Sequence, residues 1–152
     1  MVRYLVLTGL IDNVLAAAAV GADGCIGGPP NFAPYASQRL WELSQGPLVG
    51  ENLQEAVKLQ AALARADAVA FDAGVSQTFG YLPKLEAFSA KQLVTLRGQI
   101  PSLKWLLGDL YGYGKAPRRP LPCLSDEAGE KFRDAVQEIL YIEKELEQSR
   151  KA

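Results

Sequence analysis

Residues 4–9, Tyr4-Leu5-Val6-Leu7-Thr8-Gly9, and residues 21–28, Gly21-Ala22-Asp23-Gly24-Cys25-Ile26-Gly27-Gly28, decide the fold. The first stretch opens with a short apolar run, Tyr4 to Leu7, that stops at Thr8-Gly9, as a strand buried on both faces would before a loop. Between the two stretches, Asp12 or Asn13 can cap a short helix through Val14, Leu15 and Ala16 to Ala19, and Gly21 stands where a helix C-cap is expected. The second stretch reads as another short strand, Gly24 to Gly28, opening into a rigid Pro29-Pro30 loop. Strand, loop, helix and strand in succession are the repeating unit of a parallel α/β fold.

Beyond this unit the pattern turns helical. A helix is expected from about Pro34 to Ser44, with Leu40 and Leu43 near one face. A longer one follows from about Asn52 to Phe71, where Ala56, Leu59, Leu63, Ala66 and Ala70 keep three-and-four spacing. From Gly74 to Gln99 the period is lost, and a loop with a helical turn or more is expected there. Pro101 suits the first turn of a further helix whose apolar face is Leu103, Leu106, Leu107 and Leu110, ending at Gly112. After a proline-stiffened segment, Ser125 is the expected N-cap of one last helix, with Phe132, Val136, Ile139 and Leu146 on its buried side. The domain division expected is 1–33 for two βα units and 34–152 for a helical region, with an insertion at 75–99.

The totals exclude several classes. Of 152 residues, 49% are hydrophobic and 22% charged, as in ordinary globular domains. Sixteen basic residues against 17 acidic ones give a formal charge of -1, which argues against nucleic acid or an anionic membrane as partner. With no histidine and only Cys25 and Cys123, neither a histidine-containing zinc site nor a disulfide framework can form within one chain, so no metal and no cofactor is expected. Reduced, buried thiols are the expected state. No run approaches the roughly 20 apolar residues of a membrane span. The start at Met1-Val2-Arg3 does not read as a signal peptide, so a cytoplasmic location is expected.

At Leu7-Thr8-Gly9, Gly21-Ala22-Asp23-Gly24-Cys25-Ile26 and Asn31, the order and spacing resemble the dihydrodipicolinate synthase and N-acetylneuraminate lyase family. Its members have a strand ending in Ser/Thr-Gly, an alanine-rich helix, Gly-Ala-x-Gly, a hydrophobic strand and a nearby Asn. Ile100-Pro101-Ser102-Leu103-Lys104, Tyr111-Gly112-Tyr113-Gly114 and Pro117-Arg118-Arg119-Pro120-Leu121 are similar to the family's C-terminal helices, with a closer likeness to 4-hydroxy-2-oxoglutarate aldolases and their fungal relatives. The resemblance implies the C-terminal part of a (β/α)8 TIM barrel, its last two strands, followed by a mostly helical region. It also implies a class I aldolase, lyase or synthase in which a lysine forms a Schiff base with pyruvate or another 2-oxo acid. By this mapping Thr8, Gly9 and Ile26 are substrate-binding pocket wall. The lysine strand and the proton-relay tyrosine would lie before Met1, so no catalytic residue is expected here.

A barrel needs about 250 residues and eight strands to close, so two strands alone leave the fold open. An imine-forming lysine also needs a desolvated position on a strand. Lys58, Lys84, Lys91, Lys104, Lys115, Lys131, Lys144 and Lys151 all fall on expected helices, loops or the tail, where a solvated side chain is the plainer reading. Without histidine, Cys25 has no partner to make it a nucleophile and reads as a small hydrophobe. The glycines at 21, 24, 27 and 28 lack a Gly-Lys-Ser/Thr and read as tight strand entry rather than a phosphate loop. Arg118 and Arg119 read as exposed residues between prolines. Trp41, Trp105, Tyr111 and Tyr113 read as packing residues. The expected protein is thus an aldolase portion inactive alone, with a 2-oxo acid as the whole enzyme's substrate and a homo-oligomer as its assembly; the second reading is a non-enzymatic helical interaction module.

Overall fold

The computed structural model describes residues 4–79, 99–119 and 121–151. Two short strands, β1 (Leu7–Thr8) and β2 (Gly24–Cys25), pair in parallel with Leu7 opposite Gly24 and Thr8 opposite Cys25. Helix α1 (Val14–Ala19) connects them, entered through a 3-10 turn at Ile11–Asn13. Parallel neighbours need such a crossover, since a tight hairpin can only reverse the chain. A second 3-10 turn, Pro29–Asn31, leads to α2 (Pro34–Ser44), which starts on proline as the sequence predicts. There follow α3 (Gly50–Phe79), α4 (Gln99–Tyr111), α5 (Asp126–Ala135) and α6 (Gln137–Lys151).

The expected α-helix ends are partly realised. Gly21 takes φ +90, a conformation open to glycine at little cost, and closes α1. Its amide donates to the Ala18 carbonyl at 3.0 Å and the Ala22 amide to Ala17 at 2.9 Å, the paired bonds of a Schellman ending. Ser125 caps α5, its hydroxyl accepting from the Ala128 amide at 3.3 Å. Asp12 and Asn13 do not cap α1: Asn13 makes no side-chain cap bond. Instead Gln60 of α3 accepts from the Leu15 amide at 2.9 Å, from 45 residues away.

Four expectations are corrected. Tyr4, Leu5, Val6 and Leu7, read as a strand buried on both faces, are 82, 69, 61 and 44% exposed, and only Leu7 lies within β1. Helix α3 runs past Phe71 to Phe79 instead of yielding to a loop at Gly74. A lone glycine costs a helix only about 1 kcal/mol, and no proline occurs between Gly50 and Pro83. Of the insertion expected at 75–99, Val75 to Phe79 continue α3 and Gln99 begins α4; residues 80–98 lie outside the described residues. The buried side of α4 is Pro101, Ser102, Trp105 and Leu106, with Leu110 at 36% exposure, so the face turns toward Trp105 rather than following the leucines. Finally, the last helix is two. Val136, at φ -99 and ψ 9, leaves helical values, and its amide is shared between the Phe132 and Arg133 carbonyls.

The chain divides into two compact units, Met1–Asp67 with Glu138–Ala152, and Ala68–Gln137. In the first, Ile11, Val14, Phe32, Ala36, Leu40, Leu59, Leu63 and Ile139 form the core. The anticipated Ala56, Leu59, Leu63 and Ala66 stripe of α3 is buried there. An Arg39–Glu55 pair joins α2 to α3 through two charge-assisted bonds of 2.7 and 2.6 Å. The Arg39 hydrogen bond holds the Glu55 carboxyl below its ordinary 4.5, against a smaller desolvation effect. Because the folded state binds this proton less tightly than the unfolded chain, the pair's contribution is present above the ordinary value and fades as pH falls through the lowered one. Acid titration of Arg39→Gln should therefore show a shallower loss of stability than the parent between pH 5 and 3, and identical slopes would refute the assignment.

In the second unit Ala70, Trp105, Leu106, Leu124, Phe132 and Val136 are buried. Ser102, with no exposed surface, donates to the Ala70 carbonyl at 2.8 Å. Trp105 is a packing residue as expected, whereas Tyr111 and Tyr113 are 53 and 63% exposed and rest on each other at 5.9 Å. No helix among the described residues is long and apolar enough to cross a membrane.

Candidate functional site

The C-terminal ends of the two parallel strands place the three residues singled out in the sequence side by side. The Ile26 amide donates to the Thr8 carbonyl at 2.9 Å, continuing the ladder one step beyond β2. Thr8 is half-buried, and its hydroxyl is taken up locally, accepting from the Leu10 amide at 3.3 Å and lying 3.4 Å from the Leu10 carbonyl. Gly9 is exposed, and a Cβ built there would meet nothing within 4 Å. Among the described residues, no packing demands glycine at position 9, and the space in front of it is open. Ile26, expected as pocket wall, is 71% exposed.

Asp23 organises the entry to β2. Its amide donates to the Val6 carbonyl at 2.7 Å, while its carboxylate accepts from the Val6 amide at 3.0 Å. Asn31 donates to the Gly28 carbonyl at 2.9 Å, tying the 3-10 turn after β2.

Open clefts flank the sheet on either side. One, of about 410 Å³, lies beside β1 and is lined by residues that include Val6, Leu7, Thr8, Ala16 and Val20. The other, of about 320 Å³, lies beside β2 and is lined by residues that include Ile11, Cys25, Pro34, Ser37 and Trp41. Cys25 is half-buried, and desolvation, followed by the charges of Asp67 and Asp12, pushes its thiol up from the usual range. A raised thiol is a weak nucleophile, in keeping with its reading as a small hydrophobe. Cys123, by contrast, is exposed, not buried as expected.

Among the described lysines, Lys58, Lys115, Lys131, Lys144 and Lys151 are exposed and Lys104 is half-buried on α4; Lys84 and Lys91 lie outside the described residues. None of the described ones stands on a strand. Arg118 and Arg119 are both exposed.

The sequence reading missed Glu143. It is absent from the buried side expected for the last helix, Phe132, Val136, Ile139 and Leu146, yet it is 8% exposed. Its carboxylate accepts from the Tyr35 and Ala36 amides at 3.0 and 2.8 Å, capping the start of α2. The signal was present only as a carboxylate one turn from Ile139 on the buried stripe.

No family model matches the chain. A protein of Emericella nidulans named a probable mitochondrial 4-hydroxy-2-oxoglutarate aldolase is 29% identical over 144 residues, covering 95% of this chain and 37% of the relative. An L-threo-3-deoxy-hexylosonate aldolase of Hypocrea jecorina is 28% identical, covering 94% and 36%. Among solved structures, a 2-keto-3-deoxygluconate aldolase of Sulfolobus solfataricus in complex with D-KDPG superposes with TM-score 0.61 at 23% identity, over 94% of this chain and 40% of that one. A dihydrodipicolinate synthase family protein from Coccidioides immitis gives TM-score 0.57 at 23% identity, over 94% and 39%. These likenesses place the fold with the barrel aldolases, as the resemblance implied. Over nearly its whole length the chain is thus similar to curated aldolases and to solved structures of the dihydrodipicolinate synthase fold, and it spans just over a third of the curated relatives it matches.

Proposed function

We propose that these residues are the C-terminal portion of a Schiff-base-forming aldolase, lyase or synthase acting on pyruvate or another 2-oxo acid, and that the portion is inactive alone. The carrying observation is the juxtaposition of Thr8, Gly9 and Ile26 at the C-terminal ends of two parallel strands, with open space before Gly9. In (β/α)8 enzymes that is the rim where ligand contacts gather. Thr8 and Gly9 then supply backbone to one wall of the pocket, and Ile26 supplies apolar surface beside the imine. A protonated imine draws electrons from the adjacent carbon, so C–C bonds can be made or broken there. Forming it requires a desolvated amine on a strand, and the described lysines, exposed or, for Lys104, half-buried on a helix, do not provide one. The names of the two curated relatives support the substrate class, both being aldolases. The cytoplasmic reading rests on the sequence alone, and one relative's name is mitochondrial.

Borohydride added to the chain with pyruvate should leave its mass unchanged, whereas a stable adduct would show that an imine-forming lysine is present after all. A chimera tests the substrate class: this chain joined behind the part of the Emericella nidulans relative that precedes its matched 144 residues should cleave 4-hydroxy-2-oxoglutarate. A folded but inactive chimera counts against the reading.

One feature favours the second reading, a helical interaction module. Val49 just before α3 and Leu53 and Val57 on it stand four residues apart and are 67, 41 and 53% exposed, an apolar stripe along the helix. A compact dimer or tetramer in light scattering would favour the module, and aggregation the open half-barrel.

A further inference from the structure

We propose that Glu143 is a positioning residue for the Ile26 wall of the pocket, acting from the C-terminal helix through the start of α2. The inference rests on the aldolase reading above and adds to it a residue that touches no substrate.

Ile26 is tied to β1 by its amide, which donates to the Thr8 carbonyl at 2.9 Å, but its side chain is exposed, so packing does little to fix where the wall stands. The chain that follows does more. The Asn31 backbone and side-chain amides both donate to the Gly28 carbonyl, at 3.1 and 2.9 Å. The Phe32 and Ala33 amides both donate to the Pro29 carbonyl, at 3.0 and 2.9 Å, and Pro29, Phe32 and Ala33 are buried. Residues 28–33 are thus tied into one piece, with Ile26 just before it and α2 directly after it. Whatever fixes the first turn of α2 also fixes this piece and the wall it carries.

That turn has no cap of its own. Pro34 opens the helix, and Ala33 at the N-cap has no side-chain acceptor to offer. The Tyr35 and Ala36 amides, in the first turn, lie beyond the reach of intrahelical carbonyls. Glu143 accepts from both, through Oε1 at 3.0 Å and Oε2 at 2.8 Å, from a buried place one turn after the buried Ile139 on α6. Two charge-assisted bonds from one carboxylate set the rotation of the turn as well as its position. A second tie runs between the same helices, where Arg150 donates to Gln38 at 2.8 Å and to Glu42 at 3.0 Å. It lies on the surface, between long side chains in water, where such pairs contribute little. The buried carboxylate is therefore the tie that sets the start of α2.

A displacement of about 1 Å in a substrate-positioning group can cost about 100-fold in rate. An apolar wall contacts the bound substrate and the transition state alike, and loss of such uniform binding raises KM and leaves kcat in place.

The experiment has two arms. In the full 152-residue chain, amide NMR spectra of folded Glu143→Gln and Glu143→Ala are compared with the parent. The Tyr35 and Ala36 resonances should move, and those from Ile26 to Ala33 should shift or broaden with them, more in Glu143→Ala than in Glu143→Gln, which keeps one carbonyl oxygen. Arg150→Ala, which removes the surface tie alone, should leave Ile26 to Ala33 in place. In the chimera with the Emericella nidulans relative, Glu143→Gln should raise KM for 4-hydroxy-2-oxoglutarate about tenfold, with kcat held within about twofold. A lower kcat at unchanged KM is the mark of fewer folded molecules and overturns the proposal. Unmoved Ile26 to Ala33 resonances in Glu143→Gln overturn it too. An active chimera whose Glu143→Gln form matches the parent keeps the aldolase reading and discards the positioning role. A folded parent chimera that cleaves nothing, with the resonances moved, discards the aldolase reading and the pocket, and leaves Glu143 as an anchor of residues 26–33 alone.

Discussion

Gly129→Ala should cost the second unit about 1–2 kcal/mol, although alanine is the better helix former. Gly129 lies in the middle of α5 and its Cα faces the indole of Trp105 on α4. A Cβ there would overlap Cε2 and Cδ2 of Trp105 and crowd its Nε1. The ring is 2% exposed, its Nε1–H donates to Asp126 Oδ1 at 3.0 Å, and the Lys115 ammonium lies 4.0 Å from its centroid. It cannot swing aside as the end of a flexible chain would. Overpacking of this kind costs about 1–3 kcal/mol or more, which outweighs the gain of roughly 1 kcal/mol in helix propensity. Urea unfolding followed by tryptophan fluorescence checks the sign. Trp105→Leu, which shrinks the neighbour, should make a second change at Gly129 nearly harmless, so the pair should be strongly non-additive. A Gly129→Ala protein as stable as the parent would mean that the indole does not occupy this place.

Glu143→Ala should destabilise the first unit by about 2–4 kcal/mol, the cost of leaving two helix-starting amides without an acceptor in a buried place. Tyr35 and Ala36 follow Pro34 at the beginning of α2, so both amides lie beyond the reach of intrahelical acceptors. Glu143→Gln keeps one carbonyl oxygen for them and should recover at least half of that loss. The pH dependence separates this carboxyl from Glu55. Desolvation pushes Glu143 above its ordinary 4.5, outweighing the two backbone hydrogen bonds that favour its charged form. The folded chain therefore holds this proton more tightly than the unfolded one, and its share of stability falls as pH rises from 4.5 through the raised value. Glu143→Gln should remove that descending slope while leaving the acid-side loss from Glu55 in place. Parallel pH profiles for the parent and Glu143→Gln would show that the carboxyl is not buried.

Much of the element order was legible because its signals are local. Pro34 started α2, Ser125 capped α5, and Gly21 ended α1 in the left-handed conformation predicted for it. The Thr8-Gly9 and Gly24-Cys25-Ile26 blocks located a parallel pair whose ends do meet. The misreadings share a cause. A run such as Tyr4 to Leu7 announces that its surface should be covered, but says nothing of whether the cover lies in the same residues. Leu103, Leu107 and Leu110 gave a leucine face to α4, yet the buried side turned to Trp105, because a large ring packed on Gly129 fills more space than the leucines do.

By itself, the sequence determined the kind of most elements and the likeness to barrel aldolases, since turn chemistry, periodicity and short motifs act over a few residues. Only the tertiary structure decided how the helix starts are satisfied and how far β1 is open. The amides at the start of α1 and α2 are met by Gln60 and Glu143, from 45 and 108 residues away. A hydrogen bond needs proximity in space and is indifferent to separation along the chain, so no local pattern could have named either partner.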